Sequence, residues 1–95
     1  MATLHIFGKT DELDIPIMSV AQLKARIPVL PDSPSIYRLD APDFAQITTI
    51  VYGDPDQEHA TVTVMTDKPE PFKRVYGSFS IATQAFLLHS ANAFR

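Results

Sequence analysis

Three histidines are the residues of this chain best suited to acid-base chemistry. His5 falls in an apolar run, His59 in a polar stretch and His89 close to the end of the sequence. A catalytic site needs such groups within hydrogen-bond reach of one another, and their spacing along the chain does not bring them together. We therefore expect a protein that is not an enzyme, and keep a small enzyme with converging histidines as an alternative.

An acidic stretch places four oxygen or nitrogen groups within six residues: Asp54, Asp56, Glu58 and His59. Calcium-binding loops have related spacing, but they need a central glycine and a distant bidentate glutamate between two helices. Neither is present here, so we expect a solvated loop. An acidic recognition loop formed by Asp54, Asp56 and Glu58 is the alternative, and no metal ion or other cofactor is expected.

Lys73, Arg74 and Tyr76 combine cations with an aromatic ring, as strands that bind single-stranded nucleic acid do. In such strands the cations hold phosphates and the ring stacks on a base. The signature strand of RNA-recognition modules has glycine where this chain has Val75, and an aromatic residue where it has Ser78. Nucleic-acid binding by these three residues is an alternative function, because the net charge of −3 provides no general cationic field.

The composition is that of a folded protein, with 45% hydrophobic and 20% charged residues. Ninety-five residues can bury one core, so we predict a single domain over residues 1–95. The lack of cysteine excludes disulfides and thiolate sites. Without a basic leader or a long apolar run, the sequence predicts a cytoplasmic protein with no membrane span.

The elements that must position these residues begin with two strands and a helix. Residues 2–8 and 13–18 are short apolar runs around a polar turn, which predicts an antiparallel pair. Pro16 favours an edge position for the second strand. Ser19 followed by Gln22 has the pattern of a capping box, so a helix is expected to begin at residue 20.

The remaining chain is predicted as strands followed by one more helix. Residues 46–52 and 60–66 are rich in β-branched side chains and should pair with each other. A short strand is expected at 36–39, a last strand at 73–81 and a C-terminal helix at 83–94. The predicted fold is one α+β domain, with a mixed or antiparallel sheet of about five strands, one helix after the second strand and another at the C-terminus.

The order of elements in the first forty residues resembles the ubiquitin-like β-grasp fold. Residues 23–27, Leu-Lys-Ala-Arg-Ile, are similar to the C-terminal half of the ubiquitin helix, and Pro31-Asp32 before Ile36-Tyr37 is similar to the turn and strand that follow it. The final residues, 92–95, lack the paired glycines used by conjugating and sulfur-carrier members. The resemblance therefore implies a surface that other proteins grip, and not carrier chemistry.

The predicted C-terminal helix has an apolar arc that one small sheet does not cover, formed by Leu87, Leu88, Ala91 and Phe94. We therefore predict a non-catalytic interaction module, an adaptor or small inhibitor, that binds a protein partner through these residues. The same excess of apolar surface could instead make a homodimer. Small chains of this kind are frequent in phages and mobile elements, so inhibition of a host protein is one expected subclass.

Overall fold

The computed structural model describes residues 2–8, 12–27, 34–54, 56–67 and 71–94. Its strands are β1 (Ala2–Phe7), β2 (Glu12–Ile17), β3 (Ser35–Ala41), β4 (Gln46–Tyr52), β5 (Ala60–Thr66) and β6 (Phe72–Tyr76). Helix α1 (Val20–Arg26) lies between β2 and β3, and helix α2 (Phe79–Ser90) follows β6. Short 3₁₀ segments occupy Pro42–Phe44 and Ala91–Phe94. The fold is α+β, as the sequence predicts.

All six strands form one antiparallel sheet in the order β2-β1-β3-β4-β5-β6. The sheet has six strands where about five are predicted, and the short strand predicted at 36–39 is a seven-residue inner strand between β1 and β4. The predicted pairing of β4 with β5 is confirmed over all seven residues of each strand. Strand β2, which contains Pro16, lies at an edge as expected.

Both helices pack on the same face of the sheet, which we call the covered face. Alternate side chains of the strands point into this layer because successive residues of a strand face opposite sides. The fully buried residues of the covered face include Leu4, Leu39, Ile50 and Val62, against Leu23 of α1 and Phe86 of α2. In the described part of the chain, the other face of the sheet carries no helix.

Ser19 begins α1 in the way the sequence predicts. Its Oγ accepts a hydrogen bond from the Gln22 N–H at 3.3 Å, and the Gln22 Oε1 accepts one from the Met18 N–H at 2.7 Å. Leu23 and Ile27 then bury their side chains in the core. Helix α1 has seven residues and α2 has twelve, and neither has the length and apolar character needed to cross a bilayer.

The predicted last strand at 73–81 is wrong beyond Tyr76. Ser78 is the N-cap of α2, and its Oγ accepts a hydrogen bond from the Ile81 N–H at 3.5 Å. Phe79 is buried in the core whereas Ile81, expected on the same strand face, is 56% exposed. Alternating apolar residues are compatible with a strand. At this position, however, the serine side chain accepts a hydrogen bond from a free N–H group at the helix start, and this favours the helix. Helix α2 therefore begins four residues before the predicted one.

Candidate functional site

A groove of about 560 Å³ lies between α1 and α2. Its apolar lining comes from both sides of the groove: Val20, Ile27, Leu87, Leu88 and Ala91. Leu88 is 69% exposed, which is more than any other large apolar side chain in the described part of the chain. In the monomer this apolar surface is exposed to water, and the exposure costs about 25 cal/mol of free energy for each Å² of apolar area.

Helix α2 leaves this apolar surface exposed because its sequence is apolar on more than one side. Its twelve residues, FSIATQAFLLHS, contain no aspartate, glutamate, lysine or arginine. Phe79, Ala82 and Phe86 fill the core. Leu87 is half-buried against the core, whereas Ile81 and Leu88 point away from it and are exposed. A surface helix usually carries charged residues on its outer side, and α2 does not.

Two buried polar side chains of β4 fix the position of α2 on the sheet. The Tyr52 hydroxyl lies 2.6 Å from the Thr83 Oγ1, and the Gln46 Nε2 donates to the His89 carbonyl oxygen at 3.0 Å. Gln46 and Tyr52 are the two end residues of β4, so they hold α2 at two separate points. Burial raises the pKa of Tyr52 to about 12, although the hydrogen bond with Thr83 acts in the opposite direction.

The polar rim of the groove is positively charged. Lys24 and Gln84 line the groove and are exposed, and Arg26 is exposed at the end of α1. Neither helix contains a carboxylate. The groove therefore combines an apolar floor with a cationic edge on the α1 side, an arrangement that favours an apolar segment flanked by acidic residues.

The structure divides the four residues predicted to bind a partner between two depressions. Leu87, Leu88 and Ala91 lie together in the groove, as expected of one helix face. Phe94 instead lines a separate depression of about 220 Å³, beside Met18 and other residues at the end of the helix layer. The change from α2 to a 3₁₀ segment at Ala91–Phe94 alters the helical spacing, and this explains why Phe94 leaves the predicted arc.

The contribution of α1 to the groove is absent from the sequence predictions. Val20 and Ile27 are seven residues apart, a spacing that places them on one side of a helix and that predicts a buried face. Ile27 is buried, but Val20 is only half-buried and both line the groove. Periodicity identifies which side of α1 packs against the rest of the protein. It does not predict the gap between α1 and α2, because that gap depends on tertiary packing.

The residues of the alternative nucleic-acid site do not share one face. In the register of β5 with β6, Arg74 and Tyr76 lie opposite Val62 and Ala60, which belong to the covered face. Lys73 lies opposite Thr63, on the other side of the sheet. The Arg74 guanidinium carbon is 5.2 Å from the centre of the Tyr76 ring, so the cation already packs against the ring that would stack on a base.

Each histidine has a different environment. The His5 Nδ1 is 2.5 Å from the Asp14 Oδ1 across β1 and β2. His59 lies beside Gly53 at the end of the loop, and the His89 ring is 4.6 Å from the Phe72 ring. Among the described residues, no group of three or more histidines and carboxylates has the geometry to hold a metal ion. These contacts therefore give no support to a site built from converging histidines.

The acidic loop is folded by one of its own carboxylates. The Asp54 Oδ1 accepts a hydrogen bond from the Asp56 N–H at 3.0 Å, and the Asp54 carbonyl oxygen accepts from the Gln57 and Glu58 N–H groups. Glu58 has a φ of 48°, in the left-handed region that ends this turn. Asp54 thus has a local structural role, while Asp56 and Glu58 are exposed.

No protein-family model, curated protein or solved structure matches this chain. The function of this chain is therefore inferred from the groove between α1 and α2. The resemblance of the first forty residues to β-grasp domains stays a prediction, and two of the residues on which it rests, Pro31 and Asp32, lie outside the described ranges.

Proposed function

We propose that this chain is a non-catalytic protein-interaction module that holds an amphipathic helix of a partner protein between α1 and α2. One observation carries the proposal: Leu88, 69% exposed, stands in an apolar groove of about 560 Å³ on a helix with no charged residue. Grooves between helices commonly receive a further helix, whose apolar residues at positions i, i+3 or i+4, and i+7 enter the groove.

The dimensions of the groove suit a short helical segment. Helix α2 is about 18 Å long, because each of its twelve residues adds about 1.5 Å. A partner helix of three to four turns would cover Leu87, Leu88 and Ala91 along that length. Large aliphatic residues of the partner would supply the anchors, since each fully buried side chain of this kind contributes about 1.5–3 kcal/mol.

The partner segment is acidic beside its apolar anchors. Lys24 at the groove and Arg26 at the end of α1 provide two cations, and the helices provide no anion to neutralise them. Opposite charges at the rim of an interface raise the association rate more than they raise the final affinity. An adaptor and an inhibitor of a host protein, in a phage or mobile element, are the two subclasses of this function.

The experiment that tests the proposal is a selection of displayed peptides, each about four helical turns long, on the immobilised chain. We expect enriched peptides to carry apolar residues at helical spacing with aspartate or glutamate beside them. Their affinity should then be measured on two variants of α2. Leu88→Asp changes the groove, and Ile81→Asp changes a similarly apolar residue, 56% exposed, that does not line it.

A charge placed in the groove should weaken the enriched peptides at least about tenfold, because it leaves a buried, unpaired carboxylate. The Ile81→Asp variant should bind them within about twofold of the parent chain. Equal binding by the parent and Leu88→Asp would contradict the proposal. Equal loss in both variants, with both folded by circular dichroism, would also contradict it.

A further inference from the structure

The side of the sheet opposite the helices is a second surface that no other described residue covers, and we call it the open face. It is formed by the alternate residues of all six strands, and none of these residues is buried. An antiparallel sheet with one face in water normally places polar residues on that face. The open face departs from this rule, because aliphatic and aromatic residues form a row and a pair on it.

One apolar row crosses the inner strands β1, β3 and β4 of the open face, and a shorter apolar pair lies beyond a polar row. Phe7 of β1, Ile36 of β3 and Val51 of β4 are direct register partners. The row continues through Thr61 of β5 to Val75 of β6, which is 61% exposed. On the far side of the face Ile47 pairs with Met65, which is 55% exposed. Phe7, Ile36 and Val51 are therefore contiguous, while Ile47 and Met65 form a separate apolar pair.

The charges on the open face differ between its two edges. A polar row runs by register from Asp14 on edge strand β2 to Lys73 on edge strand β6. Glu12 adds a second carboxylate at the β2 edge, while the inner strand β3 carries both Arg38 and Asp40. The face is thus negative at one edge and positive at the other.

This polarity makes the two edges of the open face, at Asp14 and Lys73, complementary to each other in one orientation. A twofold axis parallel to the strands would place β2 of one protomer opposite β6 of its partner, so that the Asp14 edge meets the Lys73 edge twice. A twofold axis perpendicular to the strands within the interface would set β2 against β2 and bring like charges together. The first axis also sets Ile36 opposite Val51 of the second copy, while Asp40 faces Ile47 and Glu12 faces Val75 of that copy.

The open face is large enough for a stable dimer interface only if nearly all of it is used. Six strands about 4.8 Å apart span about 24 Å, and a six-residue strand is about 20 Å long, so the face projects about 480 Å². The accessible surface of its side chains is larger than this flat projection. A standard interface buries about 800 Å² on each partner, and such a dimer would use nearly the whole face.

We propose that this chain forms a twofold symmetric homodimer in which the open faces of two copies pack together, with the twofold axis parallel to the strands. Two sheets packed face to face lie about 10 Å apart, and their strand directions differ by about 30°. The flexible four-carbon stem of Lys73 can bridge the resulting displacement between the facing edges. The groove between α1 and α2 faces outward in each protomer. The dimer would therefore present two partner-binding grooves on opposite sides.

The test is the mass of the chain by sedimentation velocity over a range of concentrations. The parent chain should have twice the 10.5 kDa mass of one copy. Val51→Lys should raise the dissociation constant of the dimer at least about tenfold, because the symmetry buries two unpaired ammonium groups. Leu88→Lys, on the opposite side of the molecule, should leave it unchanged. If Val51→Lys does not fold, Met65→Lys serves the same purpose.

Charge reversal tests the orientation. Lys73→Glu and Asp14→Lys should each weaken the dimer, and the double variant should restore it, because the two changes exchange the signs of the facing edges. A monomeric parent chain would overturn the proposal, as would dissociation by Leu88→Lys but not by Val51→Lys. If both single variants are folded monomers and the double variant also fails to dimerise, the proposed axis parallel to the strands is wrong.

Discussion

The hydroxyl of Tyr52 on β4 and the hydroxyl of Thr83 on α2 lie 2.6 Å apart in the buried core. Tyr52 also packs edge-to-face on Phe79, with ring centres 5.5 Å apart, at the start of the same helix. The side of α2 that carries these residues is therefore fixed to the sheet. The opposite side, with Leu88, stays outside the core.

The first prediction concerns this hydroxyl pair. Tyr52→Phe and Thr83→Val should each lower the free energy of unfolding by about 1–2 kcal/mol, since each removes one partner of a buried hydrogen bond. The double variant should cost less than the sum of the two, by about 0.5–1.5 kcal/mol. Urea unfolding of the four proteins measures this coupling. Strict additivity would show that the two hydroxyls do not stabilise each other.

The second prediction is a loss of stability at alkaline pH. An unperturbed tyrosine releases its proton near pH 10, whereas Tyr52 in the folded chain keeps it until about pH 12. Between these values the unfolded state loses its proton first, so the free energy of unfolding falls as the pH rises, by up to about 1.4 kcal/mol per pH unit.

Below pH 10 this contribution is complete and constant. Burial also raises the pKa of Tyr37, which adds an effect of the same sign. Urea unfolding at several pH values between about 9 and 11, within about a unit of the unfolded pKa, should show a shallower decline in Tyr52→Phe than in the parent chain. Parallel curves for the two proteins would contradict the assignment to Tyr52.

The third prediction concerns the close approach of Gly53 and His59 at the base of the acidic loop. The Gly53 N–H donates to the His59 carbonyl oxygen at 3.0 Å. A Cβ on Gly53 would lie 2.9 Å from the His59 Nε2 and 3.2 Å from that carbonyl oxygen. Gly53→Ala should therefore lower the free energy of unfolding by about 1 kcal/mol or more.

Gly77→Ala is the matched control, because a Cβ there meets no atom within 4 Å. It should change stability by less than about 0.5 kcal/mol. Adding His59→Ala to Gly53→Ala should recover part of the loss, since the contact with the imidazole is removed and the contact with the carbonyl oxygen stays. Equal melting temperatures for the two alanine variants would contradict the prediction.

Much of this fold could be predicted because local sequence and final structure agree. The β-branched runs of β4 and β5 give the strand bounds and the pairing, and Ser19 with Gln22 gives the start of α1. These signals are short in range. Each depends on residues that are neighbours in sequence or are joined by one loop, so tertiary packing does not override them.

The start of α2 could not be predicted from apolar alternation, because residues 75–81 fit both a strand and a helix start. Ser78 is the only local signal that separates the two. The groove could not be predicted from local sequence, because it is a gap between α1 and α2, which are separated in the chain by four strands. Leu87, Leu88 and Ala91 could be named as members of one apolar arc, whereas Val20 and Ile27 could not be named as their partners in a groove.

The fourth prediction concerns the cation at the groove. Lys24→Glu should weaken peptides with acidic flanks by about three- to tenfold at low salt, because it replaces an attraction at the rim with a repulsion. The difference should shrink as the salt concentration rises, since exposed charges are screened. Lys73→Glu, on the open face, is the control for net charge and should leave binding unchanged. Equal effects of the two variants would exclude a local role for Lys24.

The most direct test of the groove is nuclear magnetic resonance of the methyl-labelled chain during titration with an enriched peptide. We expect the largest shifts at Val20, Ile27, Leu87 and Leu88. The methyl groups of Ile36, Val51 and Val75 on the open face should shift little, because the sheet separates them from the groove. Largest shifts on the open face, with the groove unchanged, would contradict the proposed site of partner binding.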